Sequence, residues 1–160
     1  MDRPASPEEP PGLACVIACV IVAELPLQLL LRRKTAEARS ADERSAEERS
    51  RWLGSPVAVI DRDAPQGRLL WVSEPARRAG IVPGMTYAAA RSLSADLLAA
   101  EVPAEEVEEA VESLVRVLLR FTPTVEPCRE DPGVFWLSLR GLERLHPSLR
   151  RWAESIRSTI

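Results

Sequence analysis

Hydrophobic positions along the chain follow either helical or extended spacing. In residues 104–120 the apolar side chains recur three and four positions apart, and acidic residues precede the arginines, as the helix dipole favours. The apolar residues of this predicted helix are Val107, Val111, Leu114 and Leu118. Short runs rich in β-branched and other apolar residues predict strands instead, at 14–22, 57–60, 68–72, 121–126 and 134–139.

Turn-forming residues divide the middle of the chain. Residues 63–67 separate two predicted strands and favour a hairpin. Gly80 and the dipeptide Pro83-Gly84 suit a helix end followed by a tight turn. Helices are predicted on both sides of that turn and near both ends of the chain, at 26–31, 73–79, 86–98 and 149–160. This order of elements is typical of an α/β (α+β) domain with a mixed sheet.

Two polar segments, residues 1–13 and 35–51, lack an apolar face that could pack on a core. Residues 1–13 are rich in Pro, Glu and Ser, which is typical of a disordered tail. Residues 35–55 contain a charged five-residue repeat that begins at Arg39, and its period does not match a helix turn. We interpret this segment as a charged low-complexity insertion, either a solvated helix or a mobile stretch.

The apolar stretch 14–31 has a second interpretation. Its length is at the low end for a membrane span, which leaves a small membrane-anchored or lipid-modified protein as an alternative. However, Glu24, Pro26 and Gln28 lie inside it, and a carboxylate in lipid is costly. The acidic, Pro-rich residues before it lack the positive charge of a signal peptide. We therefore favour a buried strand followed by a helix.

Composition narrows the possible functions. The 160 residues carry a formal net charge of −3 and only 4% aromatic residues, which argues against nucleic-acid binding by bulk charge or by stacking. The cysteines, Cys15, Cys19 and Cys128, have no CxxC spacing, so we expect mostly buried, inert thiols in the reducing cytoplasm. The single histidine, His146, argues against a metal site built from histidines.

Three segments occur in a characteristic order: the apolar first strand, the turn from Gly80 to Met85, and the stretch from Arg120 to Pro127. Together they resemble the N-terminal half of Y-family (UmuC/DinB-type) translesion DNA polymerases. The resemblance implies a palm-like α/β part and a small helical fingers-like part, truncated before the domains that follow in the family. The palm-like part would comprise 14–34 and 102–160, and the fingers-like part 56–101.

The catalytic acids of that family are the main point of departure. Family members hold two Mg²⁺ ions with carboxylates, one from the opening strand and two from a later Asp-Glu step. By alignment Val22 stands at the first position, and Asp131 and Pro132 stand at the Asp-Glu step. The resemblance therefore implies no catalytic residues and no cofactor. Mg²⁺ is expected only if the protein is catalytic, with Glu24 and Asp131 as candidate ligands.

The nucleotide-binding side of the family pattern is also altered. Arg77 aligns with the family arginine that contacts the incoming triphosphate, which makes it the candidate nucleotide-binding residue. The tyrosine that accompanies this arginine in the family is replaced by Glu74, whose charge would repel phosphate. A surface arginine is often simply solvated, so both interpretations of Arg77 stay open.

A retained scaffold with lost acids resembles the ImuB-like branch of the family. Those inactive relatives bridge a sliding clamp, a RecA-like protein and an error-prone polymerase in damage-induced mutagenesis. The resemblance implies a non-catalytic DNA-repair scaffold that contacts DNA through its full-length parent. Two alternatives stay open: an active error-prone translesion polymerase with Glu24, Glu130 and Asp131 as metal ligands, and a plain α/β interaction domain.

Overall fold

Six helices and six strands make up the part of the chain that the structure, a computed structural model, describes: residues 17–37, 43–140, 142 and 148–160. The helices are α1 (Leu25–Glu37), α2 (Glu43–Gly54), α3 (Glu74–Arg78), α4 (Tyr87–Leu93), α5 (Ala104–Leu118) and α6 (Leu149–Arg157). The strands are β1 (Ile17–Ile21), β2 (Val57–Ile60), β3 (Leu69–Val72), β4 (Leu98–Ala100), β5 (Val125–Pro127) and β6 (Val134–Ser138).

The first sheet is antiparallel, with the strand order β1-β6-β5. Cys19 of β1, Trp136 of β6 and Glu126 of β5 lie opposite one another in register. The alternate residues of β6, Phe135 and Leu137, are fully buried in a core shared with α5 and α6. One face of this sheet is therefore core, and the other face is exposed.

The second sheet is mixed, with the order β3-β2-β4. β2 lies at its centre, pairs antiparallel with β3 as the predicted hairpin and parallel with β4, and has all four residues buried. Parallel pairing requires a crossover, and α3 and α4 supply it, burying Ala76 and Ala90 in the core of this unit. Gly80 and Gly84 between them have φ angles of 81° and 87°, which glycine adopts without strain. The predicted helix end and tight turn are confirmed.

α1 connects the two units. Leu27 and Leu30 are buried in a cluster with β2 of the second sheet. On another side of the helix, Arg33 donates a hydrogen bond of 2.8 Å to Glu106 of α5, which packs on the first sheet. Near the helix end, Lys34 hydrogen-bonds Glu37 at 2.8 Å and thereby lowers the pKa of that carboxyl.

The short strand β4 is absent from the sequence prediction. The helix predicted at 86–98 ends at Leu93, and Leu98 begins β4 instead. The sequence Leu98–Ala100 contains no β-branched residue, so local preference gives no sign of a strand. Its extended conformation follows from pairing with the buried strand β2, with Leu98 opposite Val57.

The predicted strand 121–126 is wrong in its first half. Phe121 donates its N–H to the carbonyl of Leu118, so the chain is still completing the end of α5 there. β5 begins only at Val125. The apolar side chain of Phe121 packs against the core of the first sheet from this helix end, which explains why its hydrophobicity resembled a strand position.

The charged segment 35–55 is helical where the structure describes it. α1 extends to Glu37, beyond the predicted end at residue 31, and α2 occupies 43–54, in line with the solvated-helix interpretation. Trp52, which lies outside the charged repeat, packs against the cluster formed by α1 and β2. That single aromatic contact supplies the apolar face that the repeat itself lacks.

The predictions for the N-terminal tail, the cysteines, the histidine and a membrane span have different outcomes. The tail 1–13, Cys15 and His146 lie outside the described residues. The prediction of mostly buried thiols is wrong for Cys19, which is exposed because it lies on the open face of the first sheet; Cys128 is partly buried. Among the described helices, none is long and apolar enough to cross a membrane.

Candidate nucleotide site

The end of β1 is held against the turn between β5 and β6. The N–H of Val22 donates a 2.7 Å hydrogen bond to the carbonyl of Gly133. A Cβ atom on Gly133 would lie 2.2 Å from the Val22 carbonyl oxygen, so only glycine permits this approach. The side chain of Val22 is partly buried and packs against the core of the first sheet. The position aligned with the first catalytic acid is therefore apolar and belongs to the core.

Asp131 serves as a turn residue. Its Oδ1 accepts a 3.0 Å hydrogen bond from the N–H of Gly133, and its carbonyl accepts another of 3.0 Å from Val134. An aspartate that bonds the backbone two residues ahead is a common way to form such a turn. Pro132, the next residue, offers no ligand atom on its side chain. The structure thus brings Val22, Asp131 and Pro132 together, but with one carboxylate among them.

The donor set does not fit a pair of magnesium ions. Mg²⁺ prefers several hard oxygen ligands, and a two-metal site needs carboxylates that bridge or flank both ions. In the part of the chain that is described, no group of three or more His, Cys, Asp or Glu side chains could hold a metal ion. Glu24, Glu130 and Asp131 therefore do not converge. Glu130 instead accepts a contact of 3.4 Å from the Cys128 thiol.

The carboxylate of Glu24 forms an ion pair with Arg77 of α3. Glu24 lies three residues after β1 and directly before α1, and it has a φ of 53°. This left-handed conformation costs a residue with Cβ roughly 1 to 2 kcal/mol. The carbonyl of Glu24 accepts a 3.1 Å hydrogen bond from the N–H of Gln28, in the first turn of α1. Its side chain forms a charged hydrogen bond, Arg77 Nη1 to Glu24 Oε1.

Arg77 lies between two carboxylates. Besides Glu24, its Nη1 is 3.9 Å from Oε2 of Glu74, one turn earlier on α3. Glu74 also pairs with Arg78 at 3.2 Å. The side chain of Arg77 is 42% exposed, so the guanidinium is reachable from solvent but already neutralised. The candidate nucleotide-binding residue is thus engaged with acids of its own chain.

The pair between Glu24 and Arg77 is the feature of the site that the sequence does not predict. The two residues are separated by 53 positions and come from the two different units of the fold. The sequence makes Glu24 a candidate metal ligand and Arg77 a candidate nucleotide-binding residue, each from its own motif. Their opposite charges are the only sign in the sequence that the two side chains could pair.

Comparison with known proteins identifies the class of this fold. The chain is similar to a Y-family DNA polymerase chimera of Dbh and Dpo4, with a TM-score of 0.67 and 12% identity, covering 89% of this chain and 37% of that one. The insertion ternary complex of Dbh DNA polymerase gives a TM-score of 0.62 at 12% identity, covering 89% and 37% of the two chains. The α/β fold predicted from the sequence is therefore confirmed as that of the Y-family palm and fingers region.

The sequence itself places the chain in a family. The model of the impB/mucB/samB family matches residues 43–160, which is more than half of the chain, and this protein belongs to that family. The match begins with α2, so it includes residues 43–55 of the segment whose composition predicts a charged insertion.

No curated protein matched the chain. The chain spans only about a third of the length of the polymerases it resembles, with 36% to 37% of those chains covered.

Proposed function

We propose that this chain is the palm and fingers portion of a non-catalytic, ImuB-like protein that acts as a scaffold in translesion synthesis and damage-induced mutagenesis. The observation that carries the proposal is the ion pair between Glu24 and Arg77. It ties together the positions that would serve metal and nucleotide in an active relative, and leaves neither available.

The missing carboxylates support the same conclusion. Val22 contributes methyl groups where a carboxylate is needed, and Pro132 contributes a ring. The one carboxylate that remains, Asp131, accepts a backbone hydrogen bond within its turn. Two-metal phosphoryl transfer requires ligands that position both the attacking and the leaving oxygen. The residues present offer no such set, so no step of nucleotide addition is assigned to them.

Electrostatics disfavour a bound nucleotide. A triphosphate at Arg77 would have to displace Glu24 and would then lie near Glu74. Each carboxylate that faces a phosphate adds repulsion, which is strongest where solvent is excluded. We therefore assign Arg77 a structural role, joining α3 to the loop between β1 and α1.

Partners are inferred from the resemblance. Solved structures with this fold include binary and ternary complexes of Dbh DNA polymerase. By analogy, this protein contacts DNA through its full-length parent, with a sliding clamp, a RecA-like protein and an error-prone polymerase as partners, in the cytoplasm. The modest negative charge of this chain, −3, means that the portion described here contributes little to DNA affinity.

Manganese titration followed by NMR tests the absence of a metal site directly. Mn²⁺ broadens the signals of nuclei close to where it binds. We expect no selective broadening at Val22, Glu24 or residues 130–133 of the chain. Selective broadening there that disappears in the Asp131→Ala variant would overturn the proposal, because it would show a working carboxylate site.

A further inference from the structure

A groove of about 610 Å³ lies where the two units of the fold meet, next to the candidate nucleotide site. Its walls come from β3, from the first half of α5 and from the turn that follows β5. We call it the acidic groove. Glu130 and Pro132 line both this groove and the candidate site, but Val22, Glu24, Arg77 and Asp131 do not line the groove, so most of it lies outside that site.

Apolar side chains form the floor of the acidic groove. Leu70 of β3 is 43% exposed there, although it belongs to a strand whose neighbours are mostly buried. On α5 the apolar stripe begins with Val107, which lines the groove but belongs to none of the described core clusters. The stripe joins the core only from Val111 onward. The first turns of α5 therefore present apolar surface that the fold covers only in part.

Carboxylates form the rim. Glu108 and Glu112 are four residues apart, so they share one face of α5 and repel each other, and Glu130 faces them from the turn. Within the described residues none of the three forms an ion pair; Glu130 contacts only the Cys128 thiol. Arg129 is the single cation of the lining. Three carboxylates and one arginine therefore leave the lining of the groove with an excess of negative charge.

We propose that the acidic groove binds a basic segment of a partner protein, a short peptide whose apolar side chains fill the floor and whose Lys or Arg residues pair with the rim. The volume is in the range that holds a few anchoring side chains. Charge complementarity selects this occupant, because phosphate groups of a nucleic acid would meet Glu108, Glu112 and Glu130. The proposal holds whether or not the protein is catalytic, so its failure leaves the proposed function untouched.

Two labelled peptides probe the groove by fluorescence anisotropy. The first is a helical peptide with Leu at helical spacing and Lys on both sides of the Leu stripe; the second has Glu in place of every Lys. We expect the chain to bind the Lys peptide about tenfold more tightly, the effect of two or three rim charge pairs. The variant Glu108→Lys/Glu112→Lys should reverse the preference, and Leu70→Ser should weaken binding of the Lys peptide to the chain.

A control double variant on α5 distinguishes an effect of the groove from an effect of the net charge of the chain. Glu105→Lys/Glu109→Lys changes the charge equally at the same spacing but outside the acidic groove, and it should keep the preference for the Lys peptide. The proposal is overturned if both double variants behave alike, or if the chain binds neither peptide. It is also overturned if the chain self-associates in sedimentation and Glu108→Lys/Glu112→Lys dissolves that association, since the occupant would then be a second copy.

Discussion

Glu24, in the loop between β1 and α1, and Arg77 on α3 form an ion pair that joins the two units of the fold. The family resemblance makes Glu24 a candidate metal ligand and Arg77 the candidate nucleotide-binding residue, and here the two side chains pair with each other. The side chains are 32% and 42% exposed, so solvent screening limits the contribution of the pair to stability to about 1 kcal/mol or less. The pair therefore matters less for stability than for binding, since it removes a free cation from the site.

Releasing Arg77 should create an anion site. In Glu24→Gln the guanidinium loses its closest carboxylate, and inorganic triphosphate should then raise the melting temperature of the chain by a measurable increment, which the wild type does not show. Glu154→Gln, which breaks the exposed pair between Arg150 and Glu154, is the matched control and should show no response. A response of the wild-type chain equal to that of Glu24→Gln would mean that Glu24 does not block Arg77.

Backbone strain at Glu24 should appear as a difference in stability between two substitutions at this position. Glycine adopts the observed φ of 53° freely, so Glu24→Gly should unfold at higher denaturant than Glu24→Gln, by about 1 kcal/mol in unfolding free energy. Both variants lack the ion pair, so their difference isolates the backbone term. Equal stability of the two would show that the left-handed conformation carries no cost here.

The contact between Gly133 and Val22 should tolerate no side chain. Gly133→Ala places a Cβ 2.2 Å from the Val22 carbonyl oxygen, and we expect a loss of about 2 kcal/mol in unfolding free energy. Gly54→Ala is the control, since nothing lies within 4 Å of its Cβ, and it should be neutral or slightly stabilising. If Gly133→Ala behaves like Gly54→Ala in chemical denaturation, the two segments are not held together as described.

Substitutions at Asp131 distinguish a turn residue from a metal ligand. Asparagine keeps the oxygen that accepts from Gly133, so Asp131→Asn should retain wild-type stability, whereas Asp131→Ala should lose about 1 kcal/mol. Unfolding in urea with and without Mg²⁺ measures both effects. Stabilisation of the wild type by Mg²⁺ that both variants lose would instead identify Asp131 as a ligand.

The elements that the sequence predicts well are those whose local pattern agrees with their packing. α5 has helical apolar spacing and correctly placed charges, and the turn from Gly80 to Gly84 needs glycine where the backbone is left-handed. β4 fails because its residues, Leu98–Ala100, become a strand only by pairing with β2. Extended conformation there is imposed by tertiary structure, which no local pattern records.

Some features of the candidate site are likewise predictable from the sequence, and others are not. The proximity of Val22 to Asp131 followed from the family resemblance, and the turn role of Asp131 followed from the residues beside it, Pro132 and Gly133. The pair between Glu24 and Arg77 depends on how α3 lies against the loop between β1 and α1, which is a property of the assembled core. Charge partners that meet only after folding leave no mark on sequence spacing.

Single-nucleotide incorporation by the whole natural protein on a primed DNA template, with Mg²⁺ or Mn²⁺, tests the central claim most directly. The account predicts no incorporation above that of the Asp131→Ala variant, with either metal. Robust incorporation by the wild type that Asp131→Ala abolishes would contradict it, because Asp131 would then be a catalytic ligand and not only the residue that forms the turn before β6.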